Sequence, residues 1–309
     1  MDWEFFVQQI VNGVTLGSVY ALIALGYSLV YGILKLLNFA HGDVYMIGAF
    51  IGFGVLAVFG GASNLSLPIP LVFVLMFLAA MVGCSVLGVT IERFAYRPLR
   101  DAPRIAPLIS ALGVSFFLQN SALLLFSGNF RSYDSFSLYD GRLFLPLTFG
   151  PLRISPMRLL VIGSALALMV ALTLLVGRTQ VGRAMRATSH DREAAAMMGI
   201  DVDRVIVVTF LIGSALAGAA GVMTGLVFER VYHTMGFLAG LKGFAAAVVG
   251  GIGSIPGAMV GGLVIGLAES FSIAYVSSTF SDLVVFAILI AVMLLRPTGL
   301  LGKADIKKV

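Results

Sequence analysis

Apolar runs of about twenty residues follow one another along nearly the whole chain, separated by short polar clusters. Runs of that length match the thickness of a bilayer's hydrocarbon core. The pattern predicts spans at 8–33, 42–61, 69–91, 105–127, 157–177, 205–228, 237–253, 256–277 and 281–296. The expected fold class is all-α: a polytopic helical membrane protein forming one transmembrane domain over 1–309, with about nine crossings and a range of about eight to ten. Segments 38–61 and 237–253 set that range. The second is short, glycine-rich and interrupted by Lys242, as in a re-entrant or broken helix that protein or a water-filled cavity must cover.

Two longer breaks stand out, 128–156 and 178–204. Arg93, Arg97, Arg100 and Arg104 crowd the third connection, and Arg178, Arg183, Arg186, Arg192 and Arg204 the fifth. Arg296, Lys303, Lys307 and Lys308 end the chain. Basic loops concentrate on the cytoplasmic side. That rule puts these three regions inside, the C-terminus with them, and the N-terminus and loop 128–156 outside. The acidic start MDWEFF lacks the basic opening of a signal peptide, so the first span is expected to be retained.

Composition agrees: 59% of residues are hydrophobic and 11% charged, against about 25% charged in a soluble domain. The net charge of +5 lies in loops between spans, which reads as topology signalling rather than nucleic-acid binding. One cysteine, Cys84, excludes a disulfide framework. The 36 glycines are often spaced by four, as at Gly213, Gly221 and Gly225 with Ala217 between, or Gly253, Gly257 and Gly261. Such stripes let helix backbones approach closely in lipid; some of these glycines could instead line a path or act as hinges. Gly17-Ser18 leading to GDVYMIGAF and Gly213-Ser214 leading to GFAAAVVGGIG suggest an inverted repeat.

Three polar groupings carry candidate chemistry. In the cytoplasmic loop 178–204, Asp191 is placed to cap a short helix from Arg192 to Met198, and Gly199 to end it. Such a helix suits a groove on a partner, or simply lies on the membrane surface. Asn38, His41 and Asp43 interrupt apolar surroundings, either within the membrane facing a cavity or at its mouth. Asp43 and Asn38 are expected partners for a neutral His41. Lys242 and Glu269 fall at similar depth in neighbouring antiparallel spans, where pairing would limit the cost of both charges. The pair is read as structural first and substrate-binding second. Gln119 and Asn120 are lesser candidates.

There is no G-x-x-x-x-G-K-[ST] phosphate loop, and the three histidines lack metal-ligand spacing. No cofactor site is expected in this chain. Several stretches together resemble one family: NGVTLGSVYALIALGYSLVYGI (12–33), NFAHGDVYMIGAF (38–50), IERFAYRPLR (91–100), EAAAMMGID (193–201) and GFAAAVVGGIGSIPGAMVGGLVIGLAES (243–270). They are similar to the bacterial branched-chain amino acid ABC transporter permeases of LivH type, and the likeness extends from about residue 7 to PTGLLG at 297–302. The spacing Glu193-Ala194-Ala195-x-x-x-Gly199 resembles the EAA-type coupling loop of ABC importers, without its hydrophobic-proline tail.

The resemblance implies a multi-pass protein of the bacterial inner membrane, with a second homologous permease, two ATP-binding subunits that use ATP and Mg, and a periplasmic amino-acid-binding protein. It implies leucine, isoleucine and valine as substrates, moved by alternating access, with short amides or urea as related cargo. It assigns coupling to Glu193, Ala194, Ala195 and Gly199, extended to Asp191, Arg192 and Asp201 as flanks. A path would run by Asn38, His41, Asp43, Gln119, Lys242, Gly250, Gly253 and Glu269. The alternative is an ion-gradient-driven secondary transporter using Glu269, Asp43 and His41.

Overall fold

In hydrocarbon every backbone N–H and C=O needs a partner inside the protein, so long apolar segments become helices. The computed structural model describes residues 3–59, 68–100, 102–103, 105–133, 147–149 and 152–302. Arg104, Lys303, Lys307, Lys308 and most of 134–151 lie outside these residues. Helices α1 (Trp3–Leu34), α2 (His41–Val58), α3 (Ile69–Ile91), α4 (Ile105–Phe126) and α5 (Pro156–Arg178) come first. Two short ones, α6 (Gln180–His190) and α7 (Arg192–Met197), follow. Then come α8 (Val202–Phe228), α9 (Met235–Gly250), α10 (Ile255–Tyr275) and α11 (Ser281–Leu295). Among the described residues eight helices are long and apolar enough to cross a membrane, and α9, with 16 residues, is a shorter ninth.

The region 128–156 is not loop throughout. There β1 (Arg131–Ser132) pairs antiparallel with β4 (Arg230–Val231), and β2 (Leu147–Phe149) with β3 (Leu152–Ile154). Tyr133, just after β1, is fully buried and donates to Ala49 O at 2.6 Å. Its ring fills a slot opened by Gly52 and Gly225, where any Cβ would overlap it.

Contacts at the helix ends sort the loops onto two faces. Arg192 bonds to Ile33 O near the end of α1, and Arg97 and Arg100, beyond α3, pair with Asp203 in the first turn of α8. The C-terminal backbone at Leu300 and Leu301 donates to Val249 O and Gly250 O at the end of α9. The described members of all three basic groups therefore share one face. The start of α1 lies on the other, where Phe6 stacks on Phe271 and Phe5 meets Tyr275 edge-on.

The inverted repeat is present, in a different register from the one the sequence suggested. Helix α1 packs on α10, α8 and α9, whereas α8 packs on α3, α2 and α1. The triplets α1–α2–α3 and α8–α9–α10 thus interlock in the same manner, running in opposite senses. The correspondence holds residue by residue at constant spacing. First helices end at Leu34 and Phe228, left-handed residues follow at Lys35 (φ 54°) and Glu229 (φ 56°), and the next helices begin at His41 and Met235. Gly42 therefore corresponds to Gly236, not to Gly243, and Gly17 no longer aligns with Gly213.

Both second helices start well inside the protein. The His41 ring abuts Gly26, roughly two turns, or about 12 Å, before α1 ends. From the opposite side α9 begins beside it, and Gly243 faces Ile23 of α1. The suspected break in 237–253 thus precedes the helix, in the non-helical segment 229–234, and its twin is 35–40. Where the two N-terminal turns meet, a Cβ on Gly42 would strike Gly236 O and one on Gly236 would strike Gly42 O. The contact is reciprocal, as expected on a local two-fold axis, and only glycine permits it.

Overfilling so tight a contact costs about 1–3 kcal/mol. Gly42→Ala and Gly236→Ala should therefore lower thermal stability in detergent, while Gly54→Ala, which meets no atom within 4 Å, should not. The buried Cys84 supplies the readout, since its reaction with a thiol-sensitive dye requires unfolding.

Candidate functional site

The first site is the connection between α5 and α8 on the basic face. Thr179 caps α6 by accepting Gly182 N at 3.1 Å, and Asp191 caps α7 by accepting Ala194 N at 3.0 Å. Helix α7 ends in a Schellman arrangement: Gly199 (φ 83°) donates to Ala196 O and Ile200 to Ala195 O. Asp201 then caps α8 through Arg204 N at 3.0 Å. Asp191, Gly199 and Asp201 thus shape the segment. Ala195 is buried beneath it, whereas Glu193, Met197 and Met198 point outward, the two methionines over 80% exposed. Arg192 turns the other way: its Nε and Nη2 donate to Ile33 O at 3.0 and 2.5 Å. Burial, with Arg100 nearby, lowers the pKa of this guanidinium; it remains a cation. An exposed amphipathic knob, fixed by caps at both ends, is the result.

Behind it lies the re-entrant segment 35–40. Tyr96, in a π-helical turn (Glu92–Tyr96) that continues α3, places its hydroxyl 3.1 Å from both Leu37 O and Asn38 Oδ1. Asn38 Oδ1 also accepts Ala40 N, and Asn38 O accepts His41 N. Asp43, fully buried in the first turn of α2, accepts Ser115 Oγ at 2.5 Å and Gln119 Nε2 at 3.1 Å from α4. A carboxylate there also benefits from the positive end of the helix dipole.

His41 does not pair with Asp43 or with the Asn38 side chain, contrary to expectation. Residues two apart on a helix face different ways, so the His41 ring lies edge-on to Tyr27, centroids 4.9 Å apart, and its Nε2 has no partner among the described residues. The sequence signal for Ser115 is its place one turn before Gln119, on the same helical face. Asn120 points elsewhere, donating to its own helix at Phe116 O.

The third site bears out the expected pairing. Lys242 Nζ lies 2.7 Å from Glu269 Oε1, and Tyr20 donates to Glu269 Oε2 at 2.8 Å. A second carboxylate, Asp282 in the first turn of α11, also lies 2.7 Å from Lys242 Nζ. One ammonium thus ties α9, α10 and α11 together, with α1 added through Tyr20. Gly250 and Gly253 belong to a different setting. Gly250 packs backbone to backbone against Gly257 and Gly261, Gly253 faces Gly32, and the turn at 298–302 closes over Gly251. That run is close packing at the basic face, distant from the Asp43 cluster.

Residues 9–293 match the family described as branched-chain amino acid transport system, permease component. The chain is 44% identical over 308 residues to the high-affinity branched-chain amino acid transport system permease protein BraD of Pseudomonas aeruginosa, covering 98% of each chain. It is 44% identical to the corresponding permease protein LivH of Escherichia coli K12, over 99% of this chain and 98% of that one. A probable branched-chain amino acid transport permease protein of Methanocaldococcus jannaschii is 31% identical over 94% of this chain and 90% of its own.

The second carboxylate, Asp282, alters what charge changes should do to the Lys242 group. Removing the ammonium leaves two unpaired acids, and breaking a buried pair in this way costs about 3–5 kcal/mol. Lys242→Met should therefore destabilise strongly by dye-monitored unfolding. Glu269→Gln should cost less, because Asp282 still neutralises Lys242 and glutamine still accepts from Tyr20. A swap of charges between 242 and 269 should rescue poorly, since it sets a glutamate beside Asp282.

Proposed function

The chain belongs to the family of permease components of branched-chain amino acid transport systems, and we propose that it is one of the two transmembrane subunits of an ABC importer for leucine, isoleucine and valine. It is a multi-pass membrane protein and not an enzyme. In this reading it pairs with a second homologous permease, two ATPase subunits supply the ATP and Mg chemistry, and a periplasmic binding protein delivers the amino acid. The basic face is cytoplasmic by the positive-inside rule, which leaves the N-terminus outside and the C-terminus inside the bacterial inner membrane.

The observation that carries this reading is the α7 knob. Glu193, Met197 and Met198 stand out from the cytoplasmic face on a helix capped by Asp191 and closed by Gly199. Adaptable methionines suit a groove on a partner, and the chain has no phosphate loop of its own. The Asn38–Asp43 segment with Gln119 is the best candidate for the polar part of the path, because it supplies polar groups at the meeting point of two half-helices. Lys242 and Glu269 take the structural role of fastening α9 to α10 and α11. Specificity then rests mainly with the binding protein, consistent with a permease path that binds weakly.

Purified with its neighbours, the chain should carry a Walker-motif ATPase with it. Glu193→Lys reverses the charge of the knob, and Gly199→Pro forbids the positive φ that closes it. Each should cut co-purified ATPase at least about 10-fold, or about 1.4 kcal/mol. Retention in both variants would refute the docking reading. In proteoliposomes, amino-acid uptake by this chain alone, following an ion gradient without ATP, would overturn the ABC assignment.

A further inference from the structure

Arg192 is the one long side chain of the knob that faces the spans instead of the aqueous phase. Two of its nitrogens converge on Ile33 O, across 159 residues of sequence. That carbonyl is in the last turn of α1, where helix carbonyls lack partners along the helix. Just beyond the end of α1 comes Lys35, exposed and left-handed at φ 54°, a conformation uncommon for lysine. Then follows the re-entrant segment, anchored at Leu37 O and Asn38 by Tyr96. The segment is thus held at two points on either side of Lys35. One anchor belongs to α7. The other belongs to the end of α3, which Arg100 ties to Glu92 and to Asp203 at the start of α8.

Relative movement of α7 and α3 must be taken up between those anchors, where the helix ends and Lys35 is the left-handed residue. Past it, Asn38 O and Oδ1 hold the first turn of α2, which carries His41 and Asp43. We propose that Arg192 is a positioning residue, the handle by which α7 bends the chain at Lys35 and shifts the first turn of α2. This rests on the reading that α7 docks on an ATPase subunit. It assigns Arg192 to transmission, distinct from the outward docking side chains.

The test uses the complete transporter, purified from cells that express this chain with its partner subunits and reconstituted with the binding protein. ATPase retention, ATP hydrolysis and uptake of labelled leucine are measured together. Arg192→Ala should retain the ATPase and its hydrolysis but lower leucine taken up per ATP at least about 10-fold, within the usual range of coupling effects. Arg192→Lys, which keeps one cationic donor for Ile33 O, should restore part of that ratio. Lys35→Gly, which relaxes the bend without touching α7, should lower the ratio as well; it carries the test if Arg192→Ala fails to accumulate.

An unchanged ratio in Arg192→Ala, or in Lys35→Gly if only that variant accumulates, would overturn the proposal. So would loss of the ATPase from Arg192→Ala, which would make the residue part of the docking surface. Retention of the ATPase by Glu193→Lys and Gly199→Pro would instead defeat the docking reading, whatever Arg192 does.

Discussion

The close approach of Gly42 and Gly236 is the contact on which the rest of the architecture depends. Two helices begin near mid-depth and run away from each other, one toward each face, so their N-terminal turns must pass side by side. Both turns present the positive ends of helix dipoles. Such backbone is tolerated at that depth only when other protein covers it, and α1, α8 and α10 wrap around the pair to do so. With no side chain at either glycine the turns can touch. With larger residues the two halves would separate and the covering helices would lose their register.

That constraint explains why helix existence was plain in the sequence while the repeat's register was not. Apolar length alone predicted nine spans, and among the described residues eight helices of crossing length and a shorter ninth are present, because lipid leaves the backbone few options. The repeat is carried by backbone events, the left-handed turns at Lys35 and Glu229 and the restarts at His41 and Met235. Lysine and glutamate give no hint of positive φ, and NFAHGD has almost nothing in common with YHTMGF at the equivalent place. The sequence comparison instead followed Gly17-Ser18 and Gly213-Ser214, whose glycines face different partners: Gly17 lies on α10 and Gly213 on Gly26 of α1.

The polar groups divide along similar lines. Lys242 and Glu269 could be paired from sequence because an unpaired charge in an apolar span is too costly to leave alone. Asp282 escaped notice because it sits at the start of a span, where an acidic residue already has a reason to be. The Asp191 cap and the Gly199 stop were legible as local signals. The direction of Arg192 was not, since its partner is a backbone carbonyl far away in the chain. Tyr133 was hidden for the opposite reason: it lies in a stretch that looked like external loop, and the glycines that receive it, Gly52 and Gly225, belong to other helices.

The two halves share a backbone plan but are fastened by different chemistry. On the opposite face, segment 229–234 is held by backbone pairing: β1 bonds to β4, and Tyr133 N donates to Glu229 O. On the basic face the fastening is by side chains: Tyr96, in the turn beyond α3, holds Leu37 and Asn38 of segment 35–40, and Arg192 from α7 holds Ile33 O just before it. Backbone ladders between neighbouring strands resist small displacements as a unit. Side-chain bonds from two separate elements let one anchor move while the other stays. A symmetric scaffold with one stiffly braced end and one doubly tethered end is biased to respond where the tethers are, beside the helix that faces the aqueous phase. The asymmetry arises largely from elements outside the two triplets, β1 and α7, so it is a property of this sequence and not of the repeat itself.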